Sequence, residues 1–115
     1  QRQAGGITVS FGLIKSDFDY IIDSIKKHRE IERASIFGSR AKGNYRPGSD
    51  VDIAVFGNNI TLDTLSALTA ALNDEGPLPY YFDIVDYSSL DQRDLIEHID
   101  RVGKTIFVAA SASRR

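Results

Sequence analysis

The sequence predicts a small α/β domain in which helices cover one β-sheet. The chain has 115 residues, which suits a single domain. Apolar residues recur at helical spacing in some segments, and short segments rich in β-branched residues lie between them. The predicted order is helix, strand, turn, strand, helix, strand and helix, so the whole chain is expected to form one unit around one sheet.

The first half of the chain is predicted to form a helix, a strand and a basic loop. The apolar residues of the segment FDYIIDSIKKHREIE follow helical spacing, at Phe18, Ile21, Ile22 and Ile25. Ser16 or Asp17 is positioned to cap this helix. The segment RASIFG is predicted to be a strand that ends at Gly38, SRAKG a helical turn, and YRPGS a loop because it contains Pro and Gly.

The second half is predicted to contain two strands and two helices. DVDIAVFG alternates and is predicted to be a strand, as is the segment YYFDIVDY. The leucine-rich segment between them predicts a helix that Thr61 caps and Gly76 ends. SSLDQRDLIEHIDRVG predicts the last helix, with Ser88 and Asp91 spaced for a capping box. The closing KTIFVA fits either a strand or a helix.

Composition argues against several classes of protein. A net charge of −2 argues against a general nucleic-acid or membrane-surface binder. The chain has no cysteine, which excludes disulfides and cysteine-based zinc sites and is compatible with a cytoplasmic location. No apolar stretch approaches the ~20 residues that span a bilayer, and no signal peptide is visible. Residues 1–10 and 109–115 are expected to be disordered or tag-like.

Three aspartates are candidate metal ligands. Asp50 and Asp52 lie two residues apart on a predicted strand, so they share a face, and a hard cation such as Mg²⁺ would relieve their repulsion. Asp83 lies in an apolar strand and would join them if the two strands are neighbours, whereas Asp86 points to the opposite face. The simpler alternative is a set of solvated acids at strand edges. Three carboxylates together indicate two metal ions that clamp an in-line displacement.

The Gly-Ser pair before the loop is a candidate phosphate site. Gly38 would let a phosphate approach the backbone, and amides at a helix start bind anions. The Ser39 hydroxyl, Arg40 and Lys42 would add donors and positive charge. The alternatives are a simple turn capped by Ser39 and solvated surface charges. No Walker A motif is present. A phosphate turn facing a carboxylate cluster suits nucleotidyl transfer from a triphosphate.

These residues resemble a known family. The stretch GSRAKGNYRPGSDVD matches the G-S-x10-D-x-D signature of the DNA polymerase β-like nucleotidyltransferases. The longer stretch FGSRAKGNYRPGSDVDIAV resembles the minimal nucleotidyltransferases, or MNT proteins. The similarity spans roughly residues 31–107 and includes Asp83 at the place of the third family carboxylate. It implies a nucleotidyltransferase core, a small mixed β-sheet covered by helices.

The resemblance also implies roles for individual residues. It implies phosphate contacts from three residues, Gly38, Ser39 and Arg40. It implies ligation of two Mg²⁺ ions, or Mn²⁺ ions, by three catalytic carboxylates, Asp50, Asp52 and Asp83. Asp83 would also act as general base for the attacking hydroxyl. The nucleotide implied is a nucleoside triphosphate, commonly ATP.

A partner protein is implied as well. Minimal members pair with a separate helical protein of the HEPN type in toxin–antitoxin modules, where the MNT protein adds AMP to a tyrosine of the toxin, binds it, or does both. No direct nucleic-acid binding is expected, and a homodimer or hetero-oligomer is possible. Two alternatives stay open: a non-catalytic antitoxin that acts by binding, and a transferase for small molecules, similar to the aminoglycoside enzymes, with a substrate subunit in trans.

The remaining polar and aromatic residues give weaker indications. One tyrosine near the site could stack on a base or receive AMP, although half-buried strand positions are the simpler interpretation for Tyr45, Tyr80, Tyr81 and Tyr87. The leucine-rich helices could form a partner interface, but we expect them to pack against the sheet. His28 and His98 are interpreted as solvated surface residues.

Overall fold

The computed structural model describes residues 8–76 and 78–110. Within these ranges the chain forms six strands and four α-helices. In chain order they are β1 Thr8–Ser10, β2 Leu13–Ile14, α1 Lys15–Lys26, β3 Arg33–Phe37, α2 Gly38–Lys42, β4 Val51–Phe56, α3 Leu62–Asn73, β5 Phe82–Asp86, α4 Arg93–Val102 and β6 Lys104–Val108. The segment KTIFVA is therefore a strand.

A four-stranded mixed sheet forms the centre of the fold, in the order β5-β4-β3-β6. β3 runs antiparallel to both β4 and β6, and β4 runs parallel to β5. The parallel pair requires a crossover connection, which α3 provides between β4 and β5. β1 and β2 pair in a separate two-stranded sheet. The mixed sheet covered by helices that the resemblance implied is confirmed.

Helices cover both faces of the sheet, and this decides where the carboxylates lie. On one face, α1 and α3 bury the main core, whose fully buried members from the helices and β4 are Ile21, Ile25, Leu68, Leu72, Val51, Ile53 and Val55. On the other face, Ile99 of α4 packs with Phe37 and Ala54. Because side chains alternate along a strand, Asp52 shares the α4 face with Ala54. The leucine-rich helix α3 packs mainly inward, as expected, although Leu62 is exposed.

The start of α3 agrees with the sequence-based prediction, and the start of α1 does not. Thr61 caps α3, and its hydroxyl oxygen accepts a hydrogen bond from the Thr64 amide at 3.2 Å, as predicted. The predicted cap of α1 is wrong, because β2 runs directly into the helix. Ile14 is the N-cap residue and offers no side-chain bond, so Ser16 and Asp17 lie inside the first turn.

The predicted capping box of α4 is also wrong. The helix begins at Arg93 after Gln92, which makes no side-chain cap. Ser88 lies instead in a short 3₁₀ turn, Tyr87–Ser89, that precedes the helix. The Asp86 carboxylate accepts the Ser88 amide at 3.2 Å, and this local bond outcompetes the box.

Parts of both ends lie within the described residues. Residues 8–10 form β1, and the Ala109 amide donates a hydrogen bond to the Glu32 carbonyl at 2.9 Å. The expectation that the ends are disordered or tag-like stays a prediction. Residues 1–7 and 111–115, on which the rest of that expectation falls, lie outside the described residues. In the described part of the chain, every helix is too short or too polar to cross a membrane.

Candidate functional site

Two of the predicted carboxylates lie side by side on neighbouring strands. Asp52 of β4 and Asp83 of β5 are register partners in the parallel pair, so their side chains leave the same face of the sheet. Asp50 lies just before β4 and is exposed, as is Asp83, whereas Asp52 is partly buried. The structure therefore brings Asp52 and Asp83 together at one end of the sheet, on the α4 face, and the charge of Asp50 lies close enough to act on Asp52.

The charges of this group act on Asp52 in particular. The pKa of Asp52 is raised from 3.8 to about 6, chiefly by burial and then by the neighbouring charges of Asp83 and Asp50. An ionised carboxylate is therefore poorly stabilised by its protein surroundings at this position. A bound cation is the natural compensation for such excess negative charge, and perturbed carboxyls of this kind occur often at functional sites.

Gly38 follows β3 directly and touches this carboxylate. Phe37 is the register partner of Asp52, so the next residue begins its turn beside the aspartate. Gly38 has a φ of +73°, and a Cβ placed on it would overlap the Asp52 Oδ2 atom. Only glycine fits both the backbone conformation and the space. Ser39 comes next and is half-buried at the start of α2.

His98 belongs to the site, and the prediction that it is a solvated surface residue is wrong. The Gly38 amide donates a hydrogen bond to His98 Nε2 at 3.1 Å. The imidazole also meets the Phe37 ring edge-to-face, with 6.0 Å between ring centroids. No motif in the sequence marks this residue. Its position follows from the packing of α4 across the sheet, which buries the adjacent Ile99.

Arg40 is buried, and its guanidinium bonds backbone carbonyls of the protein. Its side chain is only 3% exposed. The guanidinium donates to the Ser49 carbonyl at 3.2 and 2.9 Å and to the Phe11 carbonyl at 2.7 Å. It also lies 5.2 Å from the Tyr45 ring and 4.9 Å from the Tyr80 ring, beside an open cavity of about 340 Å³. These contacts favour a structural role, and phosphate binding by Arg40 stays a prediction.

The remaining candidates lie outside the carboxylate group. Asp86 is 7% exposed, and its carboxylate accepts hydrogen bonds from both Ser88 and Ser89, so it stabilises the 3₁₀ turn. Tyr87 stacks on Phe56 and donates to Asp100. Tyr81 is 60% exposed and precedes β5, two residues before Asp83. It is the predicted tyrosine that lies nearest in sequence to a candidate ligand.

The candidate ligands of this site are carboxylates, which suit a divalent cation. Asp52 and Asp83 offer hard oxygen ligands from adjacent strands, which is the chemistry that Mg²⁺ and Mn²⁺ prefer. Among the described residues, no three His, Asp or Glu side chains come together as a formed metal site. The residues therefore fit a cation held by the Asp52–Asp83 pair, with Asp50 nearby as an added charge rather than a formed third ligand.

A mixed sheet with a Gly-Ser turn against paired aspartates is the arrangement of a nucleotidyltransferase core. The family model described as "Polymerase beta, Nucleotidyltransferase" matches residues 19–111, most of the chain. The protein belongs to this polymerase β nucleotidyltransferase family. No curated protein sequence matches the chain significantly.

Solved structures share the fold. A toxin–antitoxin complex with AMP-PNP gives a TM-score of 0.67 at 22% identity, over 84% of this chain and 77% of that chain. The toxin–antitoxin complex MntA-HepT gives 0.62 at 20% identity, over 87% and 77%. A putative nucleotidyltransferase from Sulfolobus solfataricus gives 0.51 at 16% identity, over 79% and 76%. At these identities the likeness shows the fold.

Proposed function

We propose that the protein is a divalent-metal-dependent nucleotidyltransferase that transfers AMP from ATP to a hydroxyl group of a partner protein. The observation that carries the proposal is the pairing of Asp52 with Asp83 beside the Gly38-Ser39 turn. Family membership supports the class of reaction. A structural neighbour solved with AMP-PNP supports an adenine nucleotide as the donor.

In the proposed reaction, the acceptor hydroxyl oxygen attacks the α-phosphorus of ATP. The new O–P bond forms as the bond to the bridging oxygen breaks, and pyrophosphate leaves. Asp83, which is exposed, takes the hydroxyl proton and acts as the general base. Asp52 and Asp83 would hold the cations, with Asp50 as an added negative charge nearby, and the Gly38-Ser39 turn would hold the polyphosphate. The cations, when bound, neutralise the charge that develops on the phosphate.

The proposed acceptor is a tyrosine of a helical HEPN-type toxin, so that the protein acts as the antitoxin of a cytoplasmic module. Two structural neighbours are toxin–antitoxin complexes, which supports a partner of this kind. Most large apolar side chains of the described residues are buried in the two cores that flank the sheet, although Leu62 and Tyr81 are exposed.

Intact-mass spectrometry tests the proposal. The protein is incubated with MgATP and the product of the neighbouring gene, and the mass of each chain is recorded. We expect the partner to gain AMP units with the wild-type protein and none with Asp52→Asn or Asp83→Asn. Asp86→Asn is the matched control, because Asp86 lies on the same strand as Asp83 but is bonded to the 3₁₀ turn. It should retain transfer.

Each outcome has a definite consequence. Equal transfer by the Asp83→Asn variant and the wild type would remove Asp83 from the mechanism. A stable complex without any mass increase would replace the transferase by an antitoxin that acts through binding. Transfer to a small-molecule hydroxyl, but to no protein, would assign the acceptor to the aminoglycoside-like class.

A further inference from the structure

The Gly38 amide has a partner inside the protein. It donates a hydrogen bond to His98 Nε2 at 3.1 Å. A backbone N–H carries a single proton. While the bond to His98 is made, this amide is therefore not available to a phosphate oxygen. The backbone N–H and the hydroxyl of Ser39 are then the donors of the turn that can bind phosphate.

The other side of Gly38 is also used by the protein. The space that a Cβ would fill is taken by the Asp52 carboxylate. The glycine thus lies between a helix residue on one side and a candidate metal ligand on the other. The space left by the missing side chain is filled by the Asp52 carboxylate. The sequence alone predicts that an approaching phosphate uses this space.

His98 is well suited to fix this contact. Its neighbour Ile99 is 3% exposed and anchors α4 in the core with Phe37 and Ala54. Phe37 also meets the imidazole edge-to-face, which adds a packing contact to the hydrogen bond. An Nε2 atom that accepts a hydrogen bond must be unprotonated, so the neutral ring carries its proton on Nδ1.

We propose that His98 is a positioning residue of the nucleotide site. It holds the Gly38 peptide, and through it sets the turn that presents Ser39 and borders Asp52. This role rests on the proposed nucleotidyltransferase function and deepens it, because it assigns polyphosphate contact to the Ser39 donors and reserves the Gly38 amide for the protein. Ordering the turn before the nucleotide arrives strengthens binding, since less freedom is lost on binding.

Two substitutions separate the acceptor from the ring. His98→Gln keeps an acceptor, because Gln Oε1 lies the same number of bonds from Cα as His Nε2. His98→Phe keeps a ring against Phe37 but has no acceptor. His28→Gln is the control for histidine replacement, since His28 lies after α1, away from the turn. Thermal melts check that each variant is folded.

The first measurement is the Kd of AMP-PNP with Mg²⁺ by calorimetry, which does not require turnover. We expect His98→Phe to bind about 2- to 10-fold more weakly, which is the range for one neutral hydrogen bond. We expect His98→Gln and His28→Gln to stay within about 2-fold of wild type on the same scale. Tighter binding by His98→Phe would mean that His98 blocks the amide, and it would overturn the proposal, as would equal binding by the Phe and Gln variants.

The second measurement is independent of nucleotide. Long-range ¹H–¹⁵N NMR spectra of the wild type should show His98 protonated on Nδ1, and the Gly38 amide signal should shift in His98→Phe but little in His98→Gln. Protonation on Nε2 in the neutral ring would refute the contact. Nucleotide binding without transfer to any acceptor would overturn the proposed function alone, whereas a wild-type protein that binds no nucleotide would overturn both.

Discussion

Asp52→Asn should stabilise the protein while it abolishes the proposed activity. The pKa of Asp52 is raised from 3.8 to about 6, mainly by burial and then by Asp83 and Asp50. At about 1.4 kcal/mol per pKa unit, ionising Asp52 destabilises the folded state by about 3 kcal/mol. The side chain is only partly buried, so solvent screening reduces this value, and we expect a gain of about 1 to 3 kcal/mol at pH 7.5.

The pH dependence follows from the same shift. Because the pKa is higher in the folded state than in the unfolded state, the folded state binds the proton more tightly. The contribution of Asp52 to stability is fully present below pH 3.8 and is lost as the pH rises through about 6. The Asn side chain stays neutral at every pH. The stability difference between Asp52→Asn and wild type should therefore be small near pH 4 and reach its maximum above pH 6.

Urea denaturation at several pH values measures this difference. A thermal melt should show an increase in Tm of roughly 4 to 12 °C for the variant at pH 7.5, at about 4 °C per kcal/mol for a domain of this size. Mg²⁺ should stabilise the wild type and not the variant, so added Mg²⁺ should reduce the difference in Tm between the two proteins. A variant that is less stable than wild type at pH 7.5, or a difference that does not change with pH, would refute the electrostatic reasoning.

Two further predictions concern the turn and its support. Gly38→Ala should lower the free energy of unfolding by about 2 to 4 kcal/mol in urea denaturation, because the strain of a left-handed backbone adds to the overlap with Asp52. Gly43→Ala is the control, because Gly43 has a φ of +90° but open space around it, and it should lose only about 1 to 2 kcal/mol. Equal losses in the two variants would contradict the overlap. Arg40→Lys should lose about 2 kcal/mol or more, because a lysine cannot reach both carbonyls that the guanidinium bonds. A folded Arg40→Lys variant of unchanged stability that binds nucleotide weakly would assign Arg40 to phosphate instead.

The carboxylate pair was predictable because its causes lie within short segments. The alternation of DVDIAVFG fixes which side chains face the core, and Val51 and Ile53 are indeed fully buried. The same alternation puts Asp52 on the opposite face. The apolar strand that contains Asp83 needed only to be a neighbour of β4, and a crossover through α3 makes it one.

His98 and Arg40 could not be assigned in the same way. The contact of His98 with Gly38 joins residues that are 60 positions apart, and it depends on how α4 packs across the sheet. The burial of Arg40 depends on a carbonyl 29 positions away, at Phe11, in the segment between β1 and β2. Neither partner leaves a pattern in the local sequence. A fully buried arginine is also uncommon, so a solvated or phosphate-binding side chain was the reasonable expectation.

The Gly-Ser motif now has a physical explanation that includes the fold as well as the substrate. A signature of this kind is usually interpreted through the phosphate, but the structure gives Gly38 two constraints of its own. Asp52 excludes a side chain at this residue, and His98 accepts the hydrogen bond that its amide donates. Both constraints act before any nucleotide is bound. The glycine therefore connects α4, the end of β3 and the carboxylate pair, so a substitution there should disturb metal ligation, turn geometry and stability together.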